Sequence, residues 1–167
     1  PRGIHYSIVD MRINGGLGGI TVKNVPLQAS ASERLVAVVH GNGQEYWILT
    51  HSLAGNTFYA WLVNGSGASS TPVTSVSGID QGPPNSGGPW TYGYLKASPN
   101  GLKLASTCLR LNTTELFDFD PMTGRVSNGL LLYKGLELGA AGSGPYYCYG
   151  ITFSPDSKLL YQAVDRD

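Results

Sequence analysis

A short turn signature recurs along this chain at nearly constant spacing. Ser98-Pro99-Asn100-Gly101 returns as Ser154-Pro155-Asp156-Ser157, a shift of 56 positions, and His40-Gly41-Asn42-Gly43 precedes the first of these by 58. Asn56-Thr57 returns as Asn112-Thr113, again at a shift of 56, which lays Trp61 on Phe117 and Val63 on Phe119. A fixed period of this size marks a repeat architecture, in which each unit buries its apolar face against the next. The content of the unit then decides the fold.

That content is strand and turn. Glu45-Tyr46-Trp47-Ile48-Leu49-Thr50 and Thr57-Phe58-Tyr59-Ala60-Trp61-Leu62-Val63 are dense in aromatic and β-branched residues, and Leu53-Ala54-Gly55-Asn56 separates them. Glu115-Leu116-Phe117-Asp118-Phe119-Asp120 alternates apolar and polar residues with period 2, the mark of a half-buried strand. Turn chemistry sits between such runs at Asn42-Gly43, Asn64-Gly65, Asn100-Gly101 and Pro121-Met122-Thr123-Gly124. The chain carries 23 Gly and 10 Pro, about a fifth of its 167 residues, so no dozen-residue window keeps a helical period. The fold class is all-β.

A unit of four antiparallel strands repeated at this period is the blade of a β-propeller, in which radial repetition leaves only short protected edges. The chain accommodates about three blade-equivalents: a partial blade over residues 1–30, full blades over 31–80 and 90–135, and a partial blade over 145–167. In the first full blade the strands are expected near 35–40, 45–50, 57–63 and 71–77. Closed propellers normally take four to eight blades. The 167 residues are therefore expected to be a fragment of a single propeller domain, a partial β-propeller. Its strand edges would be covered by remaining blades of the same chain or by another subunit.

Composition narrows the partners. Eleven Lys and Arg balance eleven Asp and Glu, and a net charge of zero speaks against nucleic acid, whose phosphates call for a basic surface. No stretch approaches the roughly 20 apolar residues that span a bilayer, so membrane insertion is not expected. A 41% hydrophobic fraction with three Trp, ten Tyr and four Phe is too rich for a disordered chain.

Several segments resemble a known family. Tyr149-Gly150-Ile151-Thr152-Phe153-Ser154-Pro155-Asp156 is similar to the strand-plus-turn signature of WD-repeat-like and YVTN-type propellers. Glu115 to Asp120 with Thr123-Gly124-Arg125-Val126-Ser127-Asn128, Val9-Asp10-Met11 with Asn14-Gly15-Gly16-Leu17-Gly18, and Glu45 to His51 are more particular. In this order they resemble the propeller region of large surface proteins of gliding bacteria, which commonly carry a C-terminal sorting domain for type IX secretion. The resemblance implies an exported or cell-surface protein with no established catalytic role.

The candidate chemistry lies in loops. The propeller register places Trp90, Tyr92, Tyr146, Tyr147 and Tyr149 in or beside the blade-to-blade loops. It places His51 and Arg110 between second and third strands, on the same face. Aromatic rings with one cation and one imidazole offer amphipathic contact area at low entropic cost, a platform for carbohydrate or peptide. The competing expectation is that these rings plug the channel or pack between blades.

Other constellations are weaker. The three His lack His-x₃₋₅-His spacing and there is no Cys-x₂-Cys, so neither a metal nor another cofactor is expected. Asp118-x-Asp120 would need an acid twelve positions into a calcium loop, where Gly129 stands. Gly15-Gly16-Leu17-Gly18-Gly19 has no helix after it to help hold a phosphate and reads as a hairpin loop. Gly-x-Ser-x-Gly is missing and neither Cys has a neighbouring His.

Cys108 and Cys148 fall on one face, one blade apart, where an exported protein could join them in a disulfide; two buried free thiols are the alternative. Asn64-Gly65-Ser66 and Asn112-Thr113-Thr114 fit the N-glycosylation acceptor pattern, which arises often by chance.

The expected function is a non-catalytic secreted or cell-surface module that binds glycan, peptide or a protein partner in adhesion. The alternatives are a hydrolase- or lactonase-like propeller whose catalytic residues lie mostly in absent blades, and a structural spacer in a surface adhesin. Four Glu and seven Asp, several of them in turns, stock the chain poorly for the enzyme.

Overall fold

The computed structural model describes residues 3–82, 92–136 and 146–166. The chain is all-β, built from several open antiparallel sheets. It divides into two compact units, residues 1–31 and 32–167.

The first unit is a hairpin of β1 (Ile4–Asp10) and β2 (Gly19–Gln28), with Ile4 opposite Gln28 and Asp10 opposite Gly19. Its loop holds a single 3₁₀ turn at Asn14–Gly16. Asn14 adopts a positive φ of 54° and its amide donates to Gly18 O at 2.9 Å. The glycine-rich segment is thus a hairpin loop.

The second unit contains three sheets. The first has β3 (Leu35–Val39), β4 (Tyr46–His51) and β5 (Thr57–Asn64) in order, and its fourth position is shared by β6 (Gly67–Ala68) and β7 (Val73–Val76), both paired with β5. The expected strands are all present. The outermost is broken in two, because Ser69 is turned aside, its N–H donating to Leu62 O and its hydroxyl accepting from Leu62 N. The second sheet runs β8 (Leu95–Ala97), β9 (Lys103–Cys108), β10 (Thr113–Asp120), β11 (Arg125–Lys134). The third is the pair β12 (Tyr146–Phe153) and β13 (Leu160–Arg166).

The three recurrent turns close three equivalent hairpins, β3–β4, β8–β9 and β12–β13. In each, the first turn residue donates to the residue five positions on: His40 N to Glu45 O, Ser98 N to Lys103 O and Ser154 N to Leu159 O, at 2.8–2.9 Å. In each, the third residue's side-chain oxygen accepts a backbone N–H two positions on, through Asn42, Asn100 and Asp156. The fourth position has positive φ in all three: Gly43 at 72°, Gly101 at 73° and Ser157 at 62°. Ser157 bears a conformational cost there that glycine does not. Its hydroxyl accepts Asn100 N–H at 3.1 Å and so ties the third turn to the second.

The core lies between the first two sheets. Trp47, Leu49, Phe58 and Ala60 from one meet Leu95, Leu104, Phe117 and Phe119 from the other. Phe58 and Phe117 pack edge to face with centroids 4.9 Å apart. Burial of each such ring contributes about 1.5–3 kcal/mol. Polar bonds fix the stacking at its margins: Trp47 Nε1 donates to Pro121 O at 2.8 Å, and Val126 N and Gly129 N donate to the Ser75 and Ser77 hydroxyls. Gly78 and Gly129 meet backbone to backbone, since a Cβ on Gly129 would lie 2.6 Å from Gly78 N.

One alternation reads differently in three dimensions. Phe117 and Phe119 are buried as a period-2 strand requires, but Glu115 shares their face and is only 4% exposed. Asp118 lies on the other face, held by Lys103 and Asn128.

Candidate functional site

The segments entering β3, β8 and β12 converge at one end of the second unit. Glu33 and Arg34 lead into Leu35 of β3, Gly93 and Tyr94 lead into Leu95 and Lys96 of β8, and Tyr149 lies on β12. Together they line a cavity of about 290 Å³. Gly93 is required by close approach, because a Cβ there would stand 2.0 Å from Thr107 O. Its N–H donates to Glu33 Oε1 at 3.2 Å.

The Tyr94 and Tyr149 rings meet edge to face at 5.0 Å and 85°, and Lys96 Nζ lies 5.4 Å from the Tyr94 ring centroid. Both rings remain open to solvent. Beneath them Thr107, fully buried on β9, accepts Tyr94 N–H and donates to Tyr149 O, both at 2.8 Å. The Tyr149 phenol is held above the ordinary tyrosine range, first by burial and then by the Glu33 carboxylate and the Tyr94 and Tyr92 hydroxyls. It stays protonated at neutral pH and serves as a hydrogen-bond donor.

Behind the cavity wall Arg34 turns its side chain into the protein, where it is 1% exposed. Its guanidinium donates to Ser32 Oγ at 3.1 Å, Ser106 Oγ at 3.2 Å and Gln81 Oε1 at 2.6 Å, and approaches His51 Nδ1 at 3.1 Å. Burial pulls Arg34 down to about 10, which leaves it cationic at neutral pH. Burial, with the Arg34 cation second, drives His51 down to about 3. His51 Nδ1 also lies 2.9 Å from Ser52 O. Burial raises the Glu115 carboxyl, only partly offset by the Ile79 N–H at 2.8 Å and by Arg34.

These placements sort the residues that the sequence singles out. Tyr149 and Tyr92 reach this end, Tyr149 within the cavity and Tyr92 exposed just ahead of β8. Tyr146, Tyr147 and Tyr149 belong to β12 itself, with Tyr147 half-buried; the Tyr146 side chain and all of Trp90 lie outside the described residues. His51 ends β4 in the interior and is a structural partner of Arg34. Arg110, in the turn after β9, donates to Gln81 O at 2.7 Å and so braces the residue that receives Arg34.

Cys108 and Cys148 are both buried thiols with no disulfide between them. Burial pushes Cys148 up to about 11, and its thiol donates to Thr113 O at 3.0 Å, so it is no poised nucleophile at neutral pH. Asn112, of the second glycosylation triplet, is buried with its amide bonded to Cys148 N and Leu136 O.

Glu33, Tyr94, Lys96 and Thr107 are the residues that sequence reasoning missed. A partial signal existed: Tyr92, Tyr94 and Lys96 are spaced by two, as on one face of a strand. Among the described residues, no group of three or more His, Cys, Asp or Glu converges as a metal site would require. No described helix is long and apolar enough to cross a membrane. Neither a protein-family model nor a curated protein matches this chain.

Proposed function

We propose that the second unit is an arc of a β-propeller that binds a glycan, peptide or protein partner at the tyrosine-lined end of its inner strands. The carrying observation is the convergence of Tyr94, Tyr149, Glu33 and Lys96 on one open cavity, preset by the buried Thr107 hydroxyl. Open amphipathic rings beside a carboxylate and an ammonium suit recognition by stacking and hydrogen bonding. The propeller reading is supported by the three equivalent hairpins and by the order of strands from β3 and β8 outward. An exported, surface-attached setting of the type IX-secreted kind rests on the sequence resemblance. In it, further blades or another subunit cover β13, whose Tyr161 and Val164 are exposed.

Glycan and peptide arrays probed with the wild-type chain and with Tyr149→Ala test this reading. Binding that the substitution abolishes supports it. Ligands retained in full by Tyr149→Ala, or none at all, would overturn it.

A further inference from the structure

Among the described residues, Lys96 lines three cavities that border the inner strands. The first is the tyrosine-lined cavity. The second, about 470 Å³, lies between β3 and β8; the third, about 510 Å³, lies between β8 and β12 and adds Tyr161 to Tyr94. Lys96 is thus the point at which they meet.

The charges at this junction are unequal in their freedom. Among the described residues, Glu33 is the one carboxylate of the first cavity, and it already accepts the Gly93 N–H and faces the Tyr149 phenol. Arg34 points away into the interior and is fully occupied with Ser32, Ser106, Gln81 and His51. Among the described residues, no carboxylate lines the second or the third cavity, and Lys96 is the sole permanently charged side chain there. Among the described residues the ion pairs are Arg12–Asp10, Lys103–Asp118 and Lys158–Asp156, and none involves Lys96. Among the described residues its ammonium rests against the Tyr94 ring.

Building on the proposed binding role, we infer that the ligand of this site is an acidic saccharide, whose ring lies against Tyr94 or Tyr149 and whose carboxylate pairs with Lys96. The amphipathic rings take the apolar face of a sugar, the Tyr149 hydroxyl and Glu33 exchange hydrogen bonds with its hydroxyls, and the Lys96 ammonium answers a fixed negative charge. Cavities running away from Lys96 on both sides leave room for flanking sugars of an oligomer. An acidic peptide would match the charge. The two open rings side by side favour the flat apolar face of a sugar ring over a flexible peptide chain.

The test is calorimetric titration of the intact chain with hexasaccharides of galacturonate, mannuronate and hyaluronan, each beside its carboxyl-reduced neutral form, and with a hexaglutamate peptide. At least one acidic sugar should bind roughly tenfold tighter than its reduced form, and the preference should shrink as salt is raised. Lys96→Gln should remove that preference while Lys96→Arg retains most of it, and Tyr149→Ala should weaken acidic and reduced forms alike.

A reduced form that binds as well as its acid, in a manner still sensitive to Tyr149→Ala, overturns the acidic assignment and leaves the binding role standing. Preferential binding of hexaglutamate likewise overturns it in favour of a peptide. Failure of every sugar overturns it, and the Tyr149→Ala comparison on arrays then decides the broader role separately.

Discussion

The Thr107 hydroxyl donates to Tyr149 O across the junction of the second and third sheets, at 2.8 Å, while it accepts the N–H of Tyr94. A single buried oxygen therefore sets the spacing of the two rings that form the candidate site. Thr107→Val keeps the shape and removes both bonds, leaving a part-buried N–H and carbonyl unanswered. It should destabilise the chain by about 1–3 kcal/mol in urea unfolding and weaken any ligand that depends on Tyr149. Unchanged stability and binding would show that the hydroxyl positions nothing.

Arg34 joins the first sheet to the second through Ser106, and its planar fork meets acceptors on several sides. Lysine cannot reproduce that geometry. Arg34→Lys should cost about 2 kcal/mol or more, because charged hydrogen bonds are lost in a buried setting. The measurement is the shift of the denaturant midpoint at constant slope.

The same cluster makes stability depend on pH. His51 titrates at about 3 in the folded chain against an ordinary 6.5, so between those values the unfolded chain takes up a proton that the folded one refuses. Stability from this group is complete above pH 6.5 and is lost as the pH falls toward 3. Glu115 acts oppositely: its raised carboxyl makes the folded chain lose stability as pH rises just above 4.5. The His51 displacement is the larger and should dominate. The melting temperature should fall from pH 7 to pH 4, and His51→Gln should flatten that profile.

Gly129 lies against the backbone of Gly78, 2.6 Å from its nitrogen and 2.7 Å from its Cα when measured from an added Cβ. Backbone cannot swing aside as a side chain can. Gly129→Ala should force the outer strands apart and cost about 1–3 kcal/mol. A wild-type unfolding curve for this variant would refute the close packing.

Cys108 and Cys148 should both alkylate in denaturant without reductant, adding two labels by intact mass, and neither should react quickly in the folded chain. One disulfide in place of two labels would contradict the free-thiol state.

Much of the secondary structure was legible because its causes are local. Asn42-Gly43, Asn100-Gly101 and Asp156-Ser157 place a side-chain acceptor before a positive-φ residue, and that pair alone closes a tight hairpin. Phe117 and Phe119 declare their buried face by period 2. Strand ends were less legible: His51 reads as a loop residue, yet backbone pairing with Phe58 carries β4 through it. Strand length is set by the neighbouring strand as much as by the residues themselves.

The candidate site was visible only in part. Tyr92 and Tyr149 stood out as aromatic residues near turns, and Tyr94 and Lys96 share a spacing of two with Tyr92, whereas nothing beside Thr107 or Glu33 marks them.

The sequence by itself determined an all-β chain with evenly spaced hairpin turns and alternating apolar faces, since each follows from residues a few positions apart. Only the tertiary structure decided that Arg34 would be buried against Ser106, 72 positions away, and that Thr107 would bridge Tyr94 and Tyr149, the latter 42 positions on. Those contacts depend on how one sheet lies on the next. Their energies come from desolvated hydrogen bonds whose partners have no fixed spacing in the chain.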